Sequence, residues 1–163
     1  VGRGDRASGA AVPADVTVRP GRPADEPAIR TLQRLLREPS PTLRSHGLRT
    51  GDALVDETAD GAVVGYLLPV AGDGVHVTEL AVHPAHRREG RATRLLWELL
   101  ARADGRVTLL VAADNDAARR LYESLGFRPA ARRPDFYDDG TDAILLARES
   151  SDEGPPDQTD AER

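Results

Sequence analysis

Across 163 residues the chain carries 22 basic and 27 acidic side chains, and its net charge of −5 lies wholly in residues 149–163; the balanced remainder excludes a nucleic-acid binder that works through a basic surface. With no cysteine, and with every basic residue an arginine, disulfides, thiolate metal ligands, cysteine nucleophiles and Schiff-base lysines are excluded. No run approaches the ~18 apolar residues of a membrane helix and the start has no signal-peptide core, so a soluble, cytoplasmic protein without a membrane partner is expected.

The length suits one domain. Residues 1–15 are rich in Gly, Ala and Arg without an apolar period and are expected to be disordered, as is the acidic segment 149–163 with its Pro155-Pro156 pair. The folded domain is expected over 16–148. It opens on a short strand at Val16-Thr17-Val18-Arg19. Asp25 then caps a helix with Pro27 in its first turn and Ile29, Leu32, Leu35 and Leu36 on one face, which ends before Pro39. Ser40 to Gly51 is punctuated by Pro and Gly, so it reads as a loop with one helical turn near Leu43 and a surface His46.

A hairpin follows, with strands at 53–55 and 63–70 about a turn at Ala59-Asp60-Gly61. A second turn at Gly72-Asp73-Gly74 leads to a buried strand marked by Val75, Val77, Leu80 and Val82. The alternation changes parity between Val77 and Leu80, which points to an irregularity in mid-strand. Pro84 ends that strand. After a basic turn, Ala92, Leu95, Leu96, Leu99 and Leu100 fall on one helical face.

The basic turn Arg87-Arg88-Glu89-Gly90-Arg91-Ala92 joins a strand end to a helix start. The first N–H groups of a helix have no internal partner and carry the positive end of its dipole, which suits phosphate. Gly90 and Ala92 let an anion approach the backbone, and Arg87, Arg88, Arg91 and Arg94 outweigh Glu89. The dipole itself contributes only ~0.3–1 kcal/mol, so amides and side chains must act together.

Residues 106–112 form a near-continuous apolar run, a buried strand reached by a parallel crossover. Asp114 or Asn115 caps the next helix, whose stripe is Ala118, Leu121, Tyr122 and Leu125; Gly126 stops it and Phe127 packs back. A last strand pair runs from Phe127 to Tyr137 and from Asp142 to Ala147 about Asp138-Asp139-Gly140.

The turn from Arg87 to Ala92 and the run from Asn115 through Tyr122 to Gly126-Phe127 together resemble the GCN5-related N-acetyltransferase (GNAT) superfamily over roughly residues 16–148. The first matches its acyl-CoA diphosphate loop, and the second its N-x-x-A-x-x-L-Y-x-x-x-G-F hallmark. Phe136-Tyr137 and Asp142 to Leu145 further resemble the RimI subgroup, which acetylates a ribosomal-protein alanine. The resemblance implies a mixed α/β fold with a mostly antiparallel twisted sheet, splayed between its fourth and fifth strands and flanked by about four helices. It implies acetyl-CoA as acetyl donor without a metal. Leu80, Ala81 and Val82 would meet the pantetheine arm, Arg87, Arg88, Glu89, Gly90, Arg91, Ala92 and Thr93 the diphosphate, and Asn115 the cofactor arm.

The implied chemistry is attack of a neutral amine on the thioester, with Tyr122 as the proton donor to sulfur. A tyrosine pKa near ~10 keeps that proton in place at neutral pH. The RimI-like base, a Glu five residues before the Asn, is replaced by Leu110. Glu79 and His76 remain, and Glu79, through a relaying water, is the expected base. A weak base suits an α-amine with pKa ~7.7–8.0 better than a lysine amine near ~10.4. The expected acceptor is a protein or peptide N-terminus, with a small-molecule amine, or acyl-CoA binding without catalysis, as alternatives. Either a monomer or a homodimer is expected.

Overall fold

The computed structural model describes residues 17–149. The disorder expected at both ends, and Val16 of the first strand, lie outside the described residues. Seven strands and four α-helices follow in the order β1 (Thr17–Pro20), α1 (Glu26–Gln33), α2 (Pro41–Thr50), β2 (Leu54–Glu57), β3 (Val63–Gly72), β4 (Gly74–Val82), α3 (Arg91–Arg102), β5 (Val107–Ala112), α4 (Asp116–Ser124), β6 (Arg128–Arg133) and β7 (Ala143–Arg148). They form two compact units: 17–70 with 77–101, and 71–76 with 102–149.

In the first unit β1, β2, β3 and β4 lie side by side. β1 and β2 pair antiparallel from Thr17↔Glu57 to Pro20↔Leu54, and β2 pairs antiparallel with β3 through Val55↔Tyr66. Ile29 and Leu32 of α1 and Leu48 of α2 close over Val55, Tyr66 and Leu68. Each such side chain contributes roughly 1.5–3 kcal/mol by leaving water. α3 buries Leu95, Leu96 and Leu99, the face that its three-and-four spacing required.

Several sequence expectations change here. α1 ends at Gln33, short of Leu35 and Leu36, and the Asp25 carboxylate does not cap it but accepts the Arg22 N–H at 2.8 Å. The stretch after Ser40 is a full helix, α2, rather than a loop. Ser40 Oγ accepts the Leu43 N–H at 3.3 Å, Pro41 occupies the first turn and Gly51, at φ 78°, ends it. The apolar period is weak because Gly47 sits on the packed face, where a Cβ would come within 2.6 Å of Leu68 Cδ1. In β4, burial alternates without a break through Val77, Glu79 and Ala81. The apparent change of parity arises because a carboxylate occupies a core position and Leu80 the opposite face.

In the second unit β5 pairs antiparallel with β7 from Val107↔Arg148 to Ala112↔Ala143, and β7 with β6. The start of β4 lies beside β5, with Val75 N–H donating to Arg106 O at 2.8 Å. Gly74 makes that approach possible: at φ 88°, a Cβ there would meet Arg106 O at 2.3 Å. α4 stops at Gly126 (φ 91°), and Phe127 N–H returns to Tyr122 O at 3.1 Å. Fully buried Phe127 stacks edge-on to Tyr122 with ring centroids 6.1 Å apart. β6 is shorter than expected, ending at Arg133. Among the described residues no helix is long and apolar enough to cross a membrane.

Candidate active site

β4 delivers the chain into the basic turn. His83 Nδ1 accepts the Ala85 N–H at 3.1 Å and starts a single helical turn, Pro84–His86. Arg88 at φ 62° and Gly90 at φ 75° then reverse the backbone into α3. A left-handed conformation costs a non-glycine residue about 1–2 kcal/mol, so Arg88 holds its place against local preference. Arg94 N–H reaches Gly90 O at 3.0 Å, whereas the N–H groups of the first helical turn have no acceptor within the helix.

The arginines of this turn divide. Arg87 and Arg88 are exposed, and Arg87 Nε donates to Val82 O at 3.2 Å. Arg94 lies 3.6 Å from Glu98. Arg91 is 3 % exposed; its NH1 bonds Asp56 Oδ1 at 2.9 Å and its Nε bonds Glu89 Oε2 at 2.8 Å. The sequence reading counted Arg91 among the cations of the turn, but its guanidinium is spent inside the first unit. Asp56 on β2 is fully buried, and burial pushes its carboxyl above the usual range against the pull of Arg91. A turn with reversed backbone, open helix-start amides and exposed arginines fits a diphosphate.

Glu79 is 4 % exposed. Its Oε1 accepts the Ser40 N–H at 2.6 Å, and its Oε2 accepts Gln33 Nε2 at 2.9 Å and Tyr66 Oη at 2.7 Å. Arg44 continues the network to Gln33 and, at 3.1 Å, to Glu26. Burial, then the bond to Glu79, raises the Tyr66 pKa, so its hydroxyl stays a donor. Neighbouring Leu80 is half-buried, and Ala81 and Val82 are buried.

In the second unit Asn115 Oδ1 caps α4 by accepting the Ala118 N–H at 3.2 Å. Tyr122 is half-buried on the same helix; burial, with a smaller contribution from Tyr137, pushes its hydroxyl up to about 12. His76 Nδ1 lies 2.8 Å from Thr108 Oγ1, and burial lowers its pKa, which favours the neutral imidazole. Leu110 pairs with Leu145 across β5 and β7.

Sequence reasoning missed Gln33, Tyr66, Arg44 and Asp56. The available signal was a charged residue in the core phase of a strand, at Asp56 and at Glu79. Their partners lie 35 and 46 residues away in Arg91 and Gln33, beyond any local pattern.

The Acetyltransferase (GNAT) family model matches residues 21–127. The chain belongs to the GNAT family. It is 44 % identical over 78 residues to the N-alpha-acetyltransferase RimI of Mycobacterium tuberculosis, covering 47 % of this chain and 49 % of that one. To the mycothiol acetyltransferase of Saccharomonospora viridis it is 48 % identical over 77 residues, 45 % of this chain and 25 % of that one. It thus spans half or less of the length of these curated relatives. Crystalline Ard1 from Thermoplasma volcanium superposes with a TM-score of 0.76 at 26 % identity, over 85 % of this chain and 99 % of that one. The GNAT assignment accounts for both motif-bearing helices at once, since α3 begins at the end of the first hallmark and α4 at the start of the second.

Proposed function

We propose that this GNAT protein transfers an acetyl group from acetyl-CoA to a primary amine, and that the amine is the N-terminal α-amine of a protein or peptide. The observation that carries the reading is the turn with Arg88 and Gly90 in left-handed conformation at the head of α3. In this reading the amides from Arg88 to Thr93, with Arg87 and Arg88, hold the diphosphate; Leu80, Ala81 and Val82 offer backbone groups to the pantetheine arm, and Asn115 a side-chain amide. Acetyl-CoA, when bound, supplies the activated thioester.

Tyr122 Oη holds the proton that the departing sulfur takes, and its raised pKa keeps that proton in place across the physiological range. For the base, Glu79 was the sequence choice, but its two oxygens already accept three hydrogen bonds. Glu79 acting through a relaying water stays the proposed base, and His76, neutral and on the same strand, is the other candidate. An α-amine acceptor makes the smaller demand on either, because about a tenth of such amines are already neutral at pH 7.

A small-molecule amine is the second reading, favoured by the likeness to the mycothiol enzyme. Calorimetric titration with acetyl-CoA tests the donor. Mass spectrometry after incubation with peptides of different first residues and with a panel of small amines then tests the acceptor. Product on peptide α-amines supports the first reading, and product on small amines alone supports the second. Tight acetyl-CoA binding without any product overturns catalysis.

A further inference from the structure

The buried guanidinium of Arg91 sits one residue from Gly90, inside the turn assigned to the diphosphate, yet it is directed into the protein. It bridges Asp56 of β2 at 2.9 Å and Glu89 at 2.8 Å. Burying an ion pair is seldom a net source of stability, because desolvation offsets most of the attraction. Apolar side chains at residues 56 and 91 together would fill the same space without that penalty, so packing alone does not explain the pair.

Glu89 supplies the explanation. It is the one acid among the residues from Arg87 to Arg91, and a carboxylate beside the helix-start amides would compete with and repel an anion bound there. Its other polar neighbour is His86, whose Nδ1 is 3.7 Å away. Arg91 draws the Glu89 carboxylate toward the buried side and holds its pKa below the ordinary range. Asp56, fixed in β2, in turn fixes the guanidinium.

We infer that Asp56 and Arg91 are positioning residues for the phosphate turn: Asp56 anchors Arg91, and Arg91 restrains Glu89 so that its charge does not occupy the place of the diphosphate. This rests on the acyl-CoA reading above.

The test is a calorimetric cycle on the full chain with acetyl-CoA. Asp56→Asn with Arg91→Met removes the buried pair, keeps near-native volumes and leaves the summed charge of residues 56, 89 and 91 unchanged. It therefore reads the release of Glu89 rather than a change in overall field. The expected result is a Kd about tenfold weaker, restored to within about threefold of native by adding Glu89→Gln. The same Glu89→Gln change in the native background must yield a much smaller gain. If the methionine version does not fold, Asp56→Asn with Arg91→Gln makes the same charge change with a polar side chain. A loss that Glu89→Gln leaves untouched, or no loss at all, overturns the positioning role while acetyl-CoA binding stands. Failure of the native chain to bind acetyl-CoA overturns both.

Discussion

The Glu79 carboxylate accepts the backbone N–H of Ser40 at 2.6 Å, tying the middle of β4 to the residue that caps α2. Three donors from three parts of the first unit converge on that one group. Glu79→Ala strands the Tyr66 hydroxyl, the Gln33 amide and the Ser40 N–H together. The expected loss is about 3 kcal/mol, and about 1–2 kcal/mol for Glu79→Gln, which keeps the shape but turns one acceptor into a donor. Urea unfolding followed by circular dichroism measures both. Native-like stability of the alanine variant would show that the network contributes nothing.

Tyr122→Phe keeps the ring against Phe127 and removes only the hydroxyl. Turnover should fall about a hundredfold while the acetyl-CoA Kd stays within about threefold. The pH profile carries a second check. A tyrosine acid loses activity as pH rises through its own pKa, which here is about 12, so the native rate should climb as the acceptor amine deprotonates and show no descending limb up to pH ~10. A descent below pH 9 in the native enzyme, absent from the phenylalanine variant, would contradict the raised pKa.

Gly74→Ala should cost about 2–4 kcal/mol, combining a left-handed backbone with a clash against Arg106 O. Hydrogen exchange should quicken at Val75, whose N–H bonds that same carbonyl. Slow exchange at Val75 in the variant would mean the strand start tolerates a side chain.

Arg19 grips both oxygens of Asp25, at 2.8 and 2.9 Å, and the Arg22 N–H adds a third bond at 2.8 Å. Arg19 first, then that N–H, outweigh burial and hold the Asp25 carboxyl below its ordinary value. A depressed carboxyl stabilises the fold above the unfolded-state pKa of ~3.9, and that contribution is lost as pH falls toward the folded-state value. Melting temperature should therefore drop between pH 5 and 2.5, less steeply in Asp25→Asn. Equal slopes would remove Asp25 from the account.

Elements with local punctuation were legible in the sequence. α3 announces itself by its three-and-four stripe, and α4 by its Asn115 cap, such a stripe and Gly126 as its stop. α2 was hidden because Gly47 and Pro41, ordinarily breakers, serve it by close packing and by position. In the candidate site, the local features were legible: the turn at Gly90 and the helix cap at Asn115. The site was not legible where long-range pairing makes it: a strand pattern shows that Glu79 or Asp56 is out of place in a core, but not which distant residue meets it.

Trp97, the chain's single tryptophan, lies on the outer side of α3 with 49 % of its surface exposed. With about half of its surface already in water, its intrinsic fluorescence should redden only modestly on denaturation and would understate an unfolding transition. The same exposure makes it accessible to a collisional quencher such as acrylamide. Protection from quenching on addition of a macromolecular acceptor would then report contact with this helix directly, with no label attached.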